Sequence, residues 1–236
     1  NSIFVFDLDD TLYSERDFEK SGIEFVYNFF KIKQVDLGTI LNNRKNWVEK
    51  IINGSNNKIT FHMVLDLYRN HLPAIQLYKD SKIFLEKLNS LGYEMSLITD
   101  GRSITQRNKL KALGIESYFK NIVISDEVNS EKPSEYNFKR VINNKHVQNY
   151  IYIADNPNKD FITPNKLGWT SICLLDRGQN ITIYDFDGPR NEDKSVNCLE
   201  LSEELIKDKI KDLNVPFGHC YVVAMVLSGI DLSVLN

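Results

Sequence analysis

The sequence predicts an α/β protein: a parallel β-sheet covered by helices on both faces, interrupted by one inserted helical domain. Three observations predict it. Short runs rich in Ile, Val, Leu or Tyr recur at residues 3–8, 94–99, 121–125, 150–154 and 171–175. Their hydrophobicity is continuous rather than alternating, as in strands buried on both faces. Helix-like stretches separate the later strands, which indicates βαβ units with right-handed crossovers. Finally, the gap between the first two strands is far too long for a single crossover and carries several apolar stripes of helical period.

The elements follow in order. After the first strand, Phe18, Ile23, Phe25, Val26, Phe29 and Phe30 recur at helical spacing, as do Trp47, Val48 and Ile51, then Val64, Leu65, Leu67 and Tyr68. These stripes read as helix-packing faces. Residues 81–91 form an amphipathic helix running into Gly92 and the second strand. Later helices are predicted at 103–113, closed by Gly114, at 134–143, and at 161–167, closed by Gly168. A glycine just past the last periodic residue is the usual helix stop. A strand at 195–198 and a helix at 199–206 complete the core. The predicted domains are therefore a discontinuous α/β core at 1–14 and 80–206, a helical insert at 15–79, and a C-terminal extension at 207–236 of unknown role.

Composition bounds the function. The chain has 236 residues, 42% hydrophobic and 26% charged, with a formal net charge of -3. This is the balance of a globular protein of one large domain, or of a main domain with a smaller insert, at about 150 residues per domain. Near-neutral charge argues against a nucleic-acid binder. No run of roughly 18 apolar residues suggests a membrane span, and the N-terminal residues lack the features of a signal peptide. Cys173, Cys198 and Cys220 are odd in number and form no CxxC, so neither a disulfide framework nor a zinc site is indicated. The expectation is a reduced, cytoplasmic protein whose cysteines fill the core. His62, His71, His146 and His219 show no ligand spacing and read as structural or surface residues.

Ligands of open parallel sheets bind beyond the carboxyl ends of the strands. There the sequence places Asp7-Leu8-Asp9-Asp10-Thr11, then Thr99-Asp100-Gly101, then Lys132-Pro133, then Asp155 with Asp160 five residues on. Asp7, Asp9 and Asp155 converging would repel one another unless a divalent cation sat among them, and hard oxygen ligands favour Mg2+. Lys132 supplies a point charge for a phosphoryl group and Thr99 a neutral donor. One carboxylate can attack phosphorus while another, two residues on, serves the leaving oxygen as general acid. Asp10 reads as a structural residue beside them.

In this order and placement the motifs resemble those of the haloacid dehalogenase-like (HAD) superfamily of phosphohydrolases, over residues 3–176. Asp7-x-Asp9-x-Thr11 is similar to its first motif, Thr99 to its second, Lys132-Pro133 to its third, and Asp155-x4-Asp160 to its fourth; Ala154 stands where many relatives have glycine. The resemblance implies a Rossmann-like core with an α-helical cap inserted after the first motif. It implies Asp7 as the nucleophile that becomes aspartyl-phosphate, and Asp9 as the acid that protonates the leaving alcohol and then activates water. Mg2+ would be held by Asp7, Asp155 and the backbone carbonyl of Asp9. Thr99, Lys132 and backbone N–H groups around Leu8, Asp9, Asp100 and Gly101 would bind phosphate, with Thr11 supporting and Asp160 orienting Lys132 or a metal-bound water. True dehalogenases of the superfamily need no acid at the position of Asp9, so its presence points to phosphoryl chemistry.

The expected function is a Mg2+-dependent phosphatase acting on a small-molecule phosphomonoester: a sugar phosphate, sugar-acid phosphate or nucleoside monophosphate. A phosphomutase or phosphotransferase would share the same aspartyl-phosphate, and a non-catalytic HAD-like binding module is the third reading. No nucleic-acid or membrane partner is expected, and oligomeric state is not readable from the sequence.

Overall fold

The computed structural model describes residues 2–55, 58–142, 149–174, 180, 198–201 and 220–223. Its centre is a seven-stranded, all-parallel sheet in the order β3-β2-β1-β4-β5-β7-β6. The strands are β1 (Ser2–Phe6), β2 (Glu94–Thr99), β3 (Asn121–Ile124), β4 (Asn149–Ala154), β5 (Thr170–Leu174), β6 (Cys198–Leu201) and β7 (Cys220–Val223). Strand order reverses at β1, which pairs with β2 on one side and β4 on the other. Strand ends on both sides of such a switch point open onto one crevice.

β1 is apolar throughout because both of its faces are covered. Phe4 and Phe6 pack on one side with Phe84, Leu85, Leu88, Leu97 and Leu110. Ile3 and Val5 pack on the other with Phe138, Tyr152, Phe161 and Trp169. Two-residue alternation thus sends neighbouring side chains into two different cores. The helices on these faces are α5 (Lys79–Ser90), α6 (Ser103–Leu113), α7 (Ser125–Val128), α8 (Glu135–Lys139) and α9 (Ile162–Lys166). Gly114 follows α6 in the left-handed region at φ 68°, which makes it the helix stop expected from sequence.

Between β1 and α5 lie α1 (Glu15–Phe29), α2 (Leu37–Asn42), α3 (Trp47–Asn53) and α4 (Phe61–Asn70). They enclose a separate core of Ile23, Val26, Ile40, Val48, Ile51 and Val64. Asp36 caps α2 through Thr39 N–H, and Thr60 caps α4 through Met63 N–H. Phe25 and Phe29, read as part of the packing stripe, are instead largely exposed, although Phe25 stacks one face on His71. The two connections to the sheet run side by side: Tyr78 N–H donates to Leu12 O at 2.9 Å, and Tyr13 pairs with Leu77. α6 also touches the insert, because Asn108 Nδ2 donates to the carbonyls of Asn70 and His71 at 3.0 and 3.1 Å.

Two expectations need correction. Residues 199–201, read as the start of a helix, belong to β6, which runs from Cys198 to Leu201. A run of only a few apolar residues carries too little periodicity to separate helix from strand. Within the expected extension at 207–236, residues 220–223 form β7, inserted in the core sheet between β5 and β6. The apolar run Cys-Tyr-Val-Val suits a strand inside a parallel sheet. The strand expected at 195–197 and the rest of 202–236 lie outside the described residues. Among the described residues, no helix is long and apolar enough to cross a membrane.

Candidate active site

Asp7 directly follows β1, and its N–H donates to Ile153 O at 2.9 Å, so pairing with β4 continues to Asp7. Asp155 directly follows β4. The sheet therefore delivers these two carboxylates side by side, and Asp160 joins them. One oxygen from each of Asp7, Asp155 and Asp160 lies within 4.8 Å of the others, and all three residues are buried.

Lys132 supplies the cation of this cluster. Its Nζ is 2.7 Å from Asp7 Oδ1, 2.8 Å from Asp160 Oδ1 and 3.4 Å from the Tyr152 hydroxyl, and its side chain is 1% exposed. Burial disfavours its charge, but Asp160 and Asp7 hold the ammonium well above the usual lysine range. Asp160 is fixed in turn, accepting from Asn156 N–H at 3.2 Å. It thus stands directly beside the Lys132 ammonium.

Asp7 and Asp160 pair with this ammonium, whereas among the described residues Asp155 has no ion-pair partner. Burial, reinforced by Asp160 and Asp9, pushes the Asp7 carboxyl up to about 7 despite Lys132. Burial and repulsion from Asp7, Asp160 and Asp10 push Asp155 to about 9. Among the described residues, Asp155 accepts from neutral donors, Thr11 Oγ1 at 3.4 Å and Asn180 Nδ2 at 3.1 Å. Hard oxygen donors with this charge deficit fit a divalent cation bound by Asp7 and Asp155.

Asp9 occupies a different setting. Lys109 Nζ lies 2.7 Å from its Oδ1, Gln106 Nε2 donates to its Oδ2 at 2.9 Å, and the Tyr13 hydroxyl donates to Oδ1. Burial opposes ionisation, yet Lys109 and these hydrogen bonds hold the Asp9 carboxyl below the usual carboxylate range. The same Gln106 amide donates to Thr99 Oγ1 at 2.6 Å, joining the end of β2 to Asp9. Sequence reasoning missed Gln106 and Lys109. The available signal was their three-residue spacing on a helix that starts immediately after the second motif, which places both on one face.

The loop after β2 is held by its neighbours. Asp100 accepts from Lys132 N–H at 3.0 Å and pairs with Lys159 at 2.9 Å. Gly101 adopts φ 139° and packs against Gln106, where an added Cβ would come within 3.1 Å of Cδ. Its N–H donates to Ser125 Oγ at 2.9 Å, so the group expected to bind phosphate has a protein partner here. Asp10 has φ 54° and accepts from Glu15 N–H at 2.8 Å, consistent with a structural residue at the start of α1. Cys173 is buried, as expected of a core filler.

Comparison with known proteins agrees with this geometry. A curated glyceraldehyde 3-phosphate phosphatase from Methanocaldococcus jannaschii is 25% identical over 229 residues, covering 88% of this chain and 98% of the relative. A phosphoglycolate phosphatase from Neisseria gonorrhoeae is 27% identical over 156 residues, covering 64% of this chain and 66% of the relative. Among solved structures, a Thermotoga maritima protein provisionally assigned as a β-phosphoglucomutase superposes with a TM-score of 0.58 at 13% identity, covering 100% of this chain and 98% of that one, a likeness of fold. The family model of haloacid dehalogenase-like hydrolases matches residues 4–174, from β1 through β5 and across every motif described above. The chain belongs to the haloacid dehalogenase-like hydrolases.

Proposed function

We propose that the protein is a Mg2+-dependent phosphatase that hydrolyses a small phosphomonoester through an aspartyl-phosphate on Asp7. The observation that carries this reading is the pairing of Asp7 with Lys132 at 2.7 Å, beside Asp155, at the end of the central strand. Lys132 there can both orient the nucleophile and neutralise an incoming phosphoryl oxygen. The phosphatase names of the relatives, glyceraldehyde 3-phosphate phosphatase and phosphoglycolate phosphatase, support the same reaction class and point to small substrates.

In the first half-reaction an Asp7 carboxylate oxygen attacks phosphorus and the bond to the leaving oxygen breaks. The leaving oxygen keeps the electron pair and takes a proton from Asp9. In the second, Asp9 as carboxylate takes a proton from water, whose oxygen attacks phosphorus. The bond to Asp7 then breaks, regenerating its carboxylate and releasing inorganic phosphate. Asp9 is ionised in the substrate-free site, which is its base form. The charge of a bound phosphomonoester raises its proton affinity toward the acid form. A Mg2+ held by Asp7 and Asp155 would supply counter-charge for the two carboxylates and the phosphoryl oxygens. The helical insert, hinged on its paired linkers, would close over the crevice and exclude bulk water.

The test is phosphate release from a panel that includes glyceraldehyde 3-phosphate, phosphoglycolate, sugar phosphates and nucleoside monophosphates, with Mg2+ and again with EDTA. Release from at least one ester that requires Mg2+ is expected. No release from any would overturn the reading, and a product that retains its phosphate at a new position would turn it toward a mutase.

A further inference from the structure

We propose that Lys109 and Gln106 of α6 are positioning residues that hold Asp9 where it can serve the leaving oxygen, an inference that rests on the phosphatase reading above. Between them they occupy both carboxylate oxygens: Lys109 Nζ on Oδ1 at 2.7 Å and Gln106 Nε2 on Oδ2 at 2.9 Å. The Gln106 amide can be oriented only one way, because its carbonyl would repel the carboxylate. The same N–H group then meets Thr99 Oγ1 at 2.6 Å, which makes that hydroxyl an acceptor toward Gln106 and leaves its own proton free. One amide therefore fixes both the Asp9 carboxylate and the direction of a phosphate donor.

Lys109 has no solvated role to compete with this one. It is 3% exposed, lies on the inward side of α6, and its ammonium sits 4.3 Å from the centre of the Phe18 ring, contributed by α1 of the insert. Residues three apart on a helix share a face, so a single rigid element presents both groups. Gln106 is braced from behind by Gly101, against whose backbone it packs. When Asp9 gives up its proton it becomes a carboxylate, and the Lys109 ammonium is already in place to receive that charge without reorganisation.

Leaving groups separate positioning of an acid from general support of the fold. An alkyl phosphomonoester needs its leaving oxygen protonated, whereas p-nitrophenyl phosphate expels a stable phenolate without help. We would measure kcat and KM for the best alkyl ester of the panel, and the pre-steady-state burst of p-nitrophenol, for wild type, Lys109→Met and Gln106→Met. Lys109→Met should lower kcat on the alkyl ester about a hundredfold, at the low end of what a general acid contributes, with KM little changed. The rate of the p-nitrophenol burst should change by less than about fivefold, because that step does not use the acid. Gln106→Met should show the same pattern and carries the test if Lys109→Met does not fold, as judged by its melting transition. Equal losses on both esters, or no loss on either, with an active wild type would overturn this inference alone. A wild type inert toward both esters would overturn the phosphatase reading and this inference with it.

Discussion

Replacing Lys132 by methionine probes the charge balance of the site most severely. Methionine keeps much of the aliphatic volume but removes the ammonium that, among the described residues, pairs with Asp7 and Asp160 at 2.7 and 2.8 Å. Three buried carboxylates would then face one another without that ammonium. Removing one partner of a buried ion pair costs about 3–5 kcal/mol, because the remaining charge is left uncompensated. For a chain of this size, 1 kcal/mol corresponds to roughly 2–4 °C in Tm, so a fall of about 6–20 °C is expected in metal-free buffer. The total stability of such domains is about 5–15 kcal/mol, so the variant should remain marginally folded at low temperature. The double variant Lys132→Met/Asp160→Asn should recover part of the loss, since one of the opposed charges is gone. Thermal melts followed by circular dichroism, with EDTA present, read all three proteins. A Lys132→Met transition within about 2 °C of wild type would refute the reasoning. It would mean that the carboxylates are already relieved by solvent.

Asp155→Asn should stabilise the metal-free protein while abolishing the rise in Tm expected of wild type on adding Mg2+. The Asp155 carboxyl is raised to about 9 by burial and by Asp7 and Asp160. The unfolded chain therefore loses that proton first, and the penalty on the folded state grows as pH rises above about 4 toward that value. Differential scanning calorimetry near neutral pH, with and without Mg2+, checks both halves of the statement. His71 makes a prediction of opposite sign. It is enclosed by Phe18, Phe25 and Tyr68, with Lys109 nearby, and burial holds its imidazole below the ordinary 6.5 despite its bond to Tyr68 O. Its neutral form is thus favoured by folding, a contribution complete above about pH 6.5 and lost as pH falls below it. His71→Phe should flatten the acid side of a Tm-versus-pH curve, and a variant curve parallel to wild type would contradict this.

The legible part of this protein was whatever depends on strand ends. A parallel strand buried on both faces must be apolar along its length, so the polar residue that breaks the run marks where the chain leaves the sheet. Asp7, Thr99 and Asp155 were all found in that way, and each stands at or directly after the end of its strand. Lys132 was found only by its order in the series, since a loop lysine carries no local sign of burial. The spacing of Gln106 and Lys109 marked one helix face but not its role, because polar residues on a helix look the same whether they face water or an acidic site. Three-dimensional placement of α6 across the end of β2 makes the difference. The C-terminal strands failed for another reason. β7 follows β6 in sequence yet lies between β5 and β6 in the sheet. Nothing local in Cys220–Val223 encodes which neighbours it will pair with.

The central claim is that phosphoryl transfer passes through Asp7. The direct measurement is acid quenching during turnover of the best substrate with Mg2+, followed by peptide mass spectrometry. A phosphoryl adduct on the peptide carrying Asp7, labile to hydroxylamine and absent from Asp7→Asn, is the result expected. Turnover without any such adduct, and with Asp7→Asn as active as wild type, would contradict it.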